Sequence, residues 1–224
     1  MSAPDRFSVA GLVFVKAPDP GAVKTRLGPR LDAGRAAVLA ARMALRTVGT
    51  MVEAGFANVI VHGAPAATHP FFSLLRQRHG VRVEPQAGDD LGERMHRALA
   101  SALTDHDAAV LVGTDIPAMR AGDLAQAARH LERGADAVLG PALDGGFWLV
   151  GLRRADPALF SGISWGSAQT LEQTLAAMRA RALQVELAPT RWDVDRPEDL
   201  DRIAADPSLR SLLEGLEKET FLGY

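Results

Sequence analysis

SVAGLVFVKAPDPGAVKTRL, residues 8–27, is the stretch on which the reading of the fold turns. Residues 8–15 form an uncharged, β-branched apolar run, the composition of a strand buried on both faces. At Lys16 the composition switches to proline, glycine and charge. An Ala-rich segment with apolar residues at helical spacing then spans residues 33–53, and Gly55 stops it. Strand, polar loop and helix in that order open a parallel α/β sheet. In such sheets ligands bind outside the carboxyl ends of the strands, so the residues just after each strand are the place to look for chemistry.

The same rhythm continues outward. Strands are expected over residues 58–62, 81–84, 108–112 and 136–139, with helices over 69–78, 91–103 and 123–133 between and after them. The pattern changes at Asp144-Gly145-Gly146, a turn sequence followed by a strand over 147–152 that can pair antiparallel with its predecessor. A helical turn over 156–160, a helix over 167–180, a strand over 183–187 and helices over 197–204 and 208–219 complete the chain. The expected fold is a single-domain α/β three-layer sandwich with a mostly parallel mixed sheet. It covers residues 1–224, with a core at about 8–204 and a helical tail at 205–224. Phe221, Leu222 and Tyr224 at the end of that tail are expected to cover the domain's own surface.

Composition narrows the chemistry. The chain has 224 residues, 47% hydrophobic and 23% charged, which suits a globular domain. It has no cysteine, so thiolate metal sites, disulfides and cysteine nucleophiles are excluded. A net charge of −2 gives no general affinity for nucleic acid. The N-terminus, MSAPDRF, does not read as a signal peptide, and no uncharged stretch is long enough to span a bilayer. A cytoplasmic protein is expected, bound to neither membrane nor nucleic acid, as a monomer or homodimer.

Basic residues in this chain are almost all arginine; the lysines are Lys16, Lys24 and Lys218, and two of them fall in the first loop. That loop combines Lys24, Thr25 and Arg26, which offer a point charge, a hydroxyl and a bidentate fork suited to a di- or triphosphate. Gly21 permits close backbone approach, and Pro18 and Pro20 stiffen the segment. The spacing is neither a Walker A loop nor GxGxxG, and a solvated basic loop is the alternative. After the third strand, Gln86 could read a base edge, while Asp89 or Asp90 caps the next helix. Thr114-Asp115-Ile116-Pro117 ends the most apolar strand, where Asp115 is either a turn residue or a metal ligand. In Trp192-Asp193-Val194-Asp195, the two carboxylates share a face of an extended segment, although Asp195 and Glu198 also have capping-box spacing. Asp144-Gly145-Gly146 fits a hairpin turn, a substrate loop, or both. Gly162-Ile163-Ser164-Trp165-Gly166 matches the GxSxG pattern, but no strand precedes it and no histidine follows it, so Ser164 is not expected to be a nucleophile.

FVKAPDPGAVKTRL, QAGDDLGERM, LVGTDIP, GPALDGGFWLVGL and WDVDRPEDL, in this order, resemble the radical-SAM/selenodomain-associated transferase 1 family of the nucleotide-diphospho-sugar transferase superfamily, with its GT-A-type fold. The first and last motifs also look like those of 2-phospholactate guanylyltransferase and, more distantly, molybdenum cofactor guanylyltransferase. The resemblance implies a nucleotide-using transferase. Lys16, Pro18, Gly21, Lys24, Thr25, Arg26, Gln86, Gly88, Arg94 and Thr114 would then face the nucleotide. Asp115, Asp193 and Asp195 would hold Mg²⁺ or Mn²⁺, with Lys24, Arg26 and Asp115 carrying the catalysis. Asp144, Gly145, Gly146 and Trp165 would face the acceptor or sugar. The first loop departs from the GxGTR loop of the superfamily's pyrophosphorylases, so its phosphate geometry does not transfer. Nucleotidyl transfer from an NTP to a small phosphorylated or carboxylated acceptor is the leading expectation. Glycosyl transfer from an NDP-sugar and a non-catalytic nucleotide-binding module are the alternatives, since all are compatible with one fold.

Overall fold

The computed structural model describes residues 7–216. Seven strands form one sheet: β1 (Val9–Lys16), β2 (Asn58–Ala64), β3 (Arg82–Pro85), β4 (Ala108–Val112), β5 (Ala137–Pro141), β6 (Phe147–Leu152) and β7 (Val185–Leu187). Their spatial order is β3-β2-β1-β4-β6-β5-β7. The first four run parallel, and β6 inserts antiparallel between β4 and β5. The expected hairpin is therefore present, and its second strand also joins the two halves of the sheet.

Among the described residues, five helices flank the sheet, α1 (Ala33–Glu53), α2 (Pro70–His79), α3 (Leu91–Ala102), α4 (Ala121–Glu132) and α5 (Thr170–Arg179), and α6 (Asp199–Ala205) packs with α1. Strand alternation sorts the core into layers. In β1, Val9, Val13 and Val15 point toward α1, α2 and α4, whereas Ala10 and Leu12 point toward α3 and α5. Ala108, Val110 and Val112 of β4 join the first face, and Ala109 and Leu111 the second. This is an α/β three-layer sandwich around a mostly parallel mixed sheet, as expected. Truncating a side chain such as Leu12, which is fully buried, is a change of about 2–5 kcal/mol.

Helix α1 matches its expected limits. Asp32 accepts the Arg35 N–H at 2.9 Å at its start, and Gly55, at φ +80°, follows its end. At the other end of the chain the sequence reading overreached. Within the described residues, the expected helix over 208–219 is only a 3-10 turn at Arg210–Leu212. Asp206 accepts the Ser208 N–H and hydroxyl, which favours a turn over a helix start. Leu209, Leu212, Leu213 and Leu216 pack with Leu39 and Met43 of α1 in a third apolar cluster. Phe221, Leu222 and Tyr224 lie outside the described residues.

The strand order reverses direction of growth between β1 and β4. A crevice opens there, beyond the carboxyl ends of these two strands, where the loops after them diverge.

Candidate functional site

That crevice is a cleft of about 730 Å³, within the range of small-molecule sites. The loop after β1 forms one side. Ala22 N–H bonds the Asp19 carbonyl at 3.0 Å, and Lys16 Nζ donates to the Ala22 carbonyl at 2.7 Å, folding the loop back on its own strand. Lys24 then adopts the left-handed conformation, at φ 50° and ψ 33°, which is uncommon for a residue other than glycine. Its surroundings hold it there. Lys24 Nζ donates to Asp115 Oδ1 and to the Val194 carbonyl, both at 2.5 Å. Its side chain is only 9% exposed.

The Val194 N–H donates in turn to the Asp115 carbonyl at 2.9 Å. The ammonium therefore sits where the first loop, the end of β4 and the 193–195 segment are stitched together. Arg26 reaches the same segment and pairs with Asp195. Val194 is fully buried between Asp193 and Asp195, and both carboxylates line the cleft, as the two-residue spacing requires.

Asp195 is not a helix cap. The carboxylate of Asp199 accepts the N–H groups of Asp195 and Arg196, at 3.0 and 2.8 Å, while Glu198 makes no side-chain cap. The Asp195 side chain is thereby left to the cleft. Burial raises the carboxyl pKa of Asp193 above its ordinary value; its own N–H opposes this, and the charges of Asp144, Asp195 and Asp199 add to it.

The far side is built from the β5–β6 turn, the start of α3 and the segment before α5. Asp144 Oδ1 accepts the Gly146 N–H at 2.9 Å, and no hydrogen-bond partner of Asp144 Oδ2 occurs among the described residues. Trp165 meets Phe147 edge-on at 6.2 Å and lies over Phe160 at 6.5 Å with 29° between the rings. Gly92 allows this placement, because a Cβ there would come within 2.6 Å of the Trp165 ring.

Of the residues expected from sequence, Lys16, Lys24, Thr25, Arg26, Gln86, Thr114, Asp115, Asp144, Gly146, Trp165, Asp193 and Asp195 all line this cleft. Five others do not. Pro18 and Gly21 shape the loop from outside the wall, and Gly21 is a turn residue at φ +80°. Gly88, at φ +139°, abuts the backbone at the start of α3, and Arg94 Nε donates to its carbonyl at 2.9 Å. These two fix the approach to α3 from behind the wall. Gly145, at φ +89°, is packed against the Ala168 backbone and accepts the Leu171 N–H through its carbonyl at 2.9 Å, tying the hairpin turn to α5. Gln86 donates one amide N–H to the His62 carbonyl at 3.0 Å, which leaves its oxygen and its second N–H for a ligand. The capping-box spacing does appear at α3: Asp90 accepts the Glu93 N–H, and Glu93 accepts the Asp89 N–H.

Sequence reading missed the apolar wall: Phe14, Leu91, Met95, Leu111 and Phe147. Phe14 was detectable in principle, being the last apolar residue of its face before β1 ends. Ser164 sits between a 3-10 turn at Pro157–Leu159 and α5, with its N–H given to Gln173 Oε1, which is not the strand-to-helix elbow of a nucleophilic serine. Among the described residues, no helix is long and apolar enough to cross a membrane.

The strand order, with its inserted antiparallel β6, and the cleft at the switch point define the nucleotide-diphospho-sugar transferase fold. A solved structure from Desulfovibrio desulfuricans G20, provisionally assigned as a nucleotide-diphospho-sugar transferase, is 33% identical, with a TM-score of 0.83 over 93% of this chain and 95% of that one. The chain belongs to the DUF2064 family, described as uncharacterized proteins conserved in bacteria, whose family model matches residues 38–167. Two more distant structures share the fold alone. One is a cytidylyltransferase from Leptospira borgpetersenii, 13% identical with a TM-score of 0.57 over 93% of each chain. The other is glucosyl-3-phosphoglycerate synthase from Mycobacterium tuberculosis, solved with Mn²⁺ and UDP, 11% identical with a TM-score of 0.51 over 95% of this chain and 82% of that one. No curated protein matches the chain.

Proposed function

We propose that this protein is an enzyme that transfers a nucleotidyl group from an NTP to a small acceptor, releasing pyrophosphate, with a divalent cation. The observation that carries the reading is the position of Lys24. One ammonium joins the first loop to Asp115 and to the Asp193–Asp195 segment, so cationic and anionic halves of a metal–phosphate site meet in one cleft. All five motifs that resemble the radical-SAM/selenodomain-associated transferase 1 family contribute residues to this cleft, which supports assignment to that branch.

The donor set fits Mg²⁺ or Mn²⁺. The cleft offers carboxylate and hydroxyl oxygens, and no histidine lines it among the described residues. Among those residues no three His, Asp or Glu side chains form a ready-made metal cluster. A cation held by one or two carboxylates and by phosphate oxygens needs none. Asp115 and Asp195, with Asp193, are the residues that would hold the ion, and when bound it would neutralise phosphate charge.

The chain's own part is alignment and electrostatics. Lys24 and Arg26, released from their carboxylates as phosphate and cation arrive, stabilise charge developing on the departing pyrophosphate. Gln86, with its oxygen and second N–H, would read a base edge. The three cations Lys16, Lys24 and Arg26 favour a triphosphate over a diphosphate.

Glycosyl transfer from an NDP-sugar is the second reading, favoured by Asp144 and Trp165 facing the same space. Measuring pyrophosphate against free NDP during turnover separates the two. A thermal-shift screen of nucleotides with and without Mg²⁺ tests both. Saturation at about a hundred times Kd is worth about 2.7 kcal/mol, a shift of several degrees. A chain that no nucleotide stabilises, with or without metal, is not this enzyme.

A further inference from the structure

The cleft's charge is divided unevenly between its sides. Among the described residues that line it, the cations are Lys16 at the end of β1 and Lys24 and Arg26 on the loop that follows. The opposite side has none. Arg191 faces Ala142 across an isolated bridge, but it pairs with Asp123 at 2.6 Å and does not line the cleft. The carboxylate on that side is Asp144, and Asp193 lies on the segment that Lys24 joins to the first loop. Asp115 and Asp195 are each matched to a first-loop cation, but Asp144 and Asp193 pair with none among the described residues.

Beside Asp144 stands a fixed aromatic surface. Trp165 is backed by Phe160 and braced edge-on by Phe147. Leu91, 43% exposed, extends the apolar surface along the same wall. A phosphate or carboxylate placed here would meet the Asp144 carboxylate and no side-chain cation, and would bury charge without a partner. A carboxylate acceptor beside an aromatic face instead recognises hydroxyl donors on a molecule with an apolar side.

We propose that the acceptor is a neutral, polyhydroxylated molecule with an apolar face, seated between Asp144 and Trp165, and not the phosphorylated or carboxylated compound that the family resemblance suggests. This rests on the transferase reading above. An acceptor hydroxyl oxygen attacks the α-phosphorus of the NTP, and the new O–P bond forms. The bond from that phosphorus to the bridging oxygen breaks, and its electron pair leaves with pyrophosphate. The hydroxyl proton passes to Asp144 Oδ2.

The test uses the full-length protein and matched probes: phenyl glucoside, phenyl galactoside and phenyl mannoside, each with its 6-phosphate and its 6-uronate. Isothermal titration is run without nucleotide, and again with Mg²⁺ and non-hydrolysable NTP analogues. At least one neutral glycoside is expected to bind tenfold or more tightly than its two charged counterparts. Trp165→Ala should abolish that binding and Trp165→Phe restore most of it, while Asp144→Asn narrows the ratio by admitting the charged probes. A phosphate or uronate that binds as tightly as its neutral parent overturns the proposal, as does failure of every probe to bind. Nucleotide stabilisation, measured on the same samples, reports separately on the transferase reading. Its loss would sink that reading, while the probe ratio without nucleotide still judges the acceptor.

Discussion

The two sides of the cleft handle charge in opposite ways. On the side of the first loop and β4, Asp115 and Asp195 have internal counterions, Lys24 and Arg26 respectively, while Asp193 beside them has none among the described residues. On the side built by the β5–β6 hairpin and the segment before α5, Asp144 has none and the surface is aromatic. Internal ion pairs at a binding site are exchangeable. An incoming anion can take the lysine and arginine, and an incoming cation the carboxylates, at no net loss of pairing. A side without such pairs has nothing to exchange and selects its ligand by shape and neutral hydrogen bonding. On the proposed reading, the parallel half of the sheet carries the donor chemistry and the antiparallel insertion carries acceptor selection.

The sharpest way to break this contrast is at Lys24. Lys24→Ala removes the group that joins the first loop to both acidic segments. A cost of about 10² in turnover is expected, from loss of one charge-stabilising contact, followed as pyrophosphate or NDP release. Near-normal rates would remove the donor side as described. On the other side, Gly145→Ala places a methyl group at φ +89° against the Ala168 backbone. A loss of about 2–3 kcal/mol is expected from strain and forced displacement, measured by urea unfolding. Nucleotide binding by the folded fraction should stay near normal. Equal damage to nucleotide affinity would mean that the two sides are not independent.

A smaller effect sharpens the comparison. The Arg26 side chain is 72% exposed, so its pair with Asp195 contributes about 0–1 kcal/mol to stability. Arg26→Ala should leave the melting temperature within a degree or two yet weaken nucleotide binding about tenfold, as expected for a cation whose work is done on a ligand. A variant that loses stability and keeps nucleotide affinity would make Arg26 structural.

The donor side was far more legible in the sequence than the acceptor side, for a physical reason. Lys24, Arg26, Asp115 and Asp195 announce themselves as charge placed just past apolar strands, where a parallel sheet opens. Their convergence follows from topology. On the acceptor side the family resemblance pointed to Asp144 and Trp165, but Phe147 and Leu91 are residues that any core uses, and only their tertiary placement turns them toward a cleft. Backbone devices were equally silent: the left-handed Lys24, and the glycine at 92 that lets a ring approach. Asp195 and Asp199 show how local spacing misleads. Asp195 stands three residues before Glu198 and reads as a cap, but the chain's turn gives that role to Asp199.

The last contrast lies beneath the cleft and concerns acid. His62 of β2 is buried beside Phe14, with no hydrogen-bond partner for Nε2 among the described residues. Burial lowers its pKa below the ordinary value, against the raising influence of Glu84 and of the Pro85 backbone. His79, at the end of α2, is lowered in the same direction by burial and by Arg78. Both belong to the parallel half; no ionisable residue of β5, β6 or β7 is buried. A histidine whose native pKa is depressed takes up its proton in the unfolded chain first. Stability is therefore unaffected above about pH 6.5, the unfolded value, and falls as pH drops from there toward the native value. Melting temperature followed across that window should decline, and His62→Leu should flatten the decline, because it removes one of the two depressed titrations together with an unpartnered nitrogen. Hydrogen exchange at pH 5.5 should show β2 and β3 opening ahead of β5 and β6. An unchanged slope in His62→Leu, or equal acid sensitivity of the two halves, would mean that the buried imidazole is not what sets the acid response.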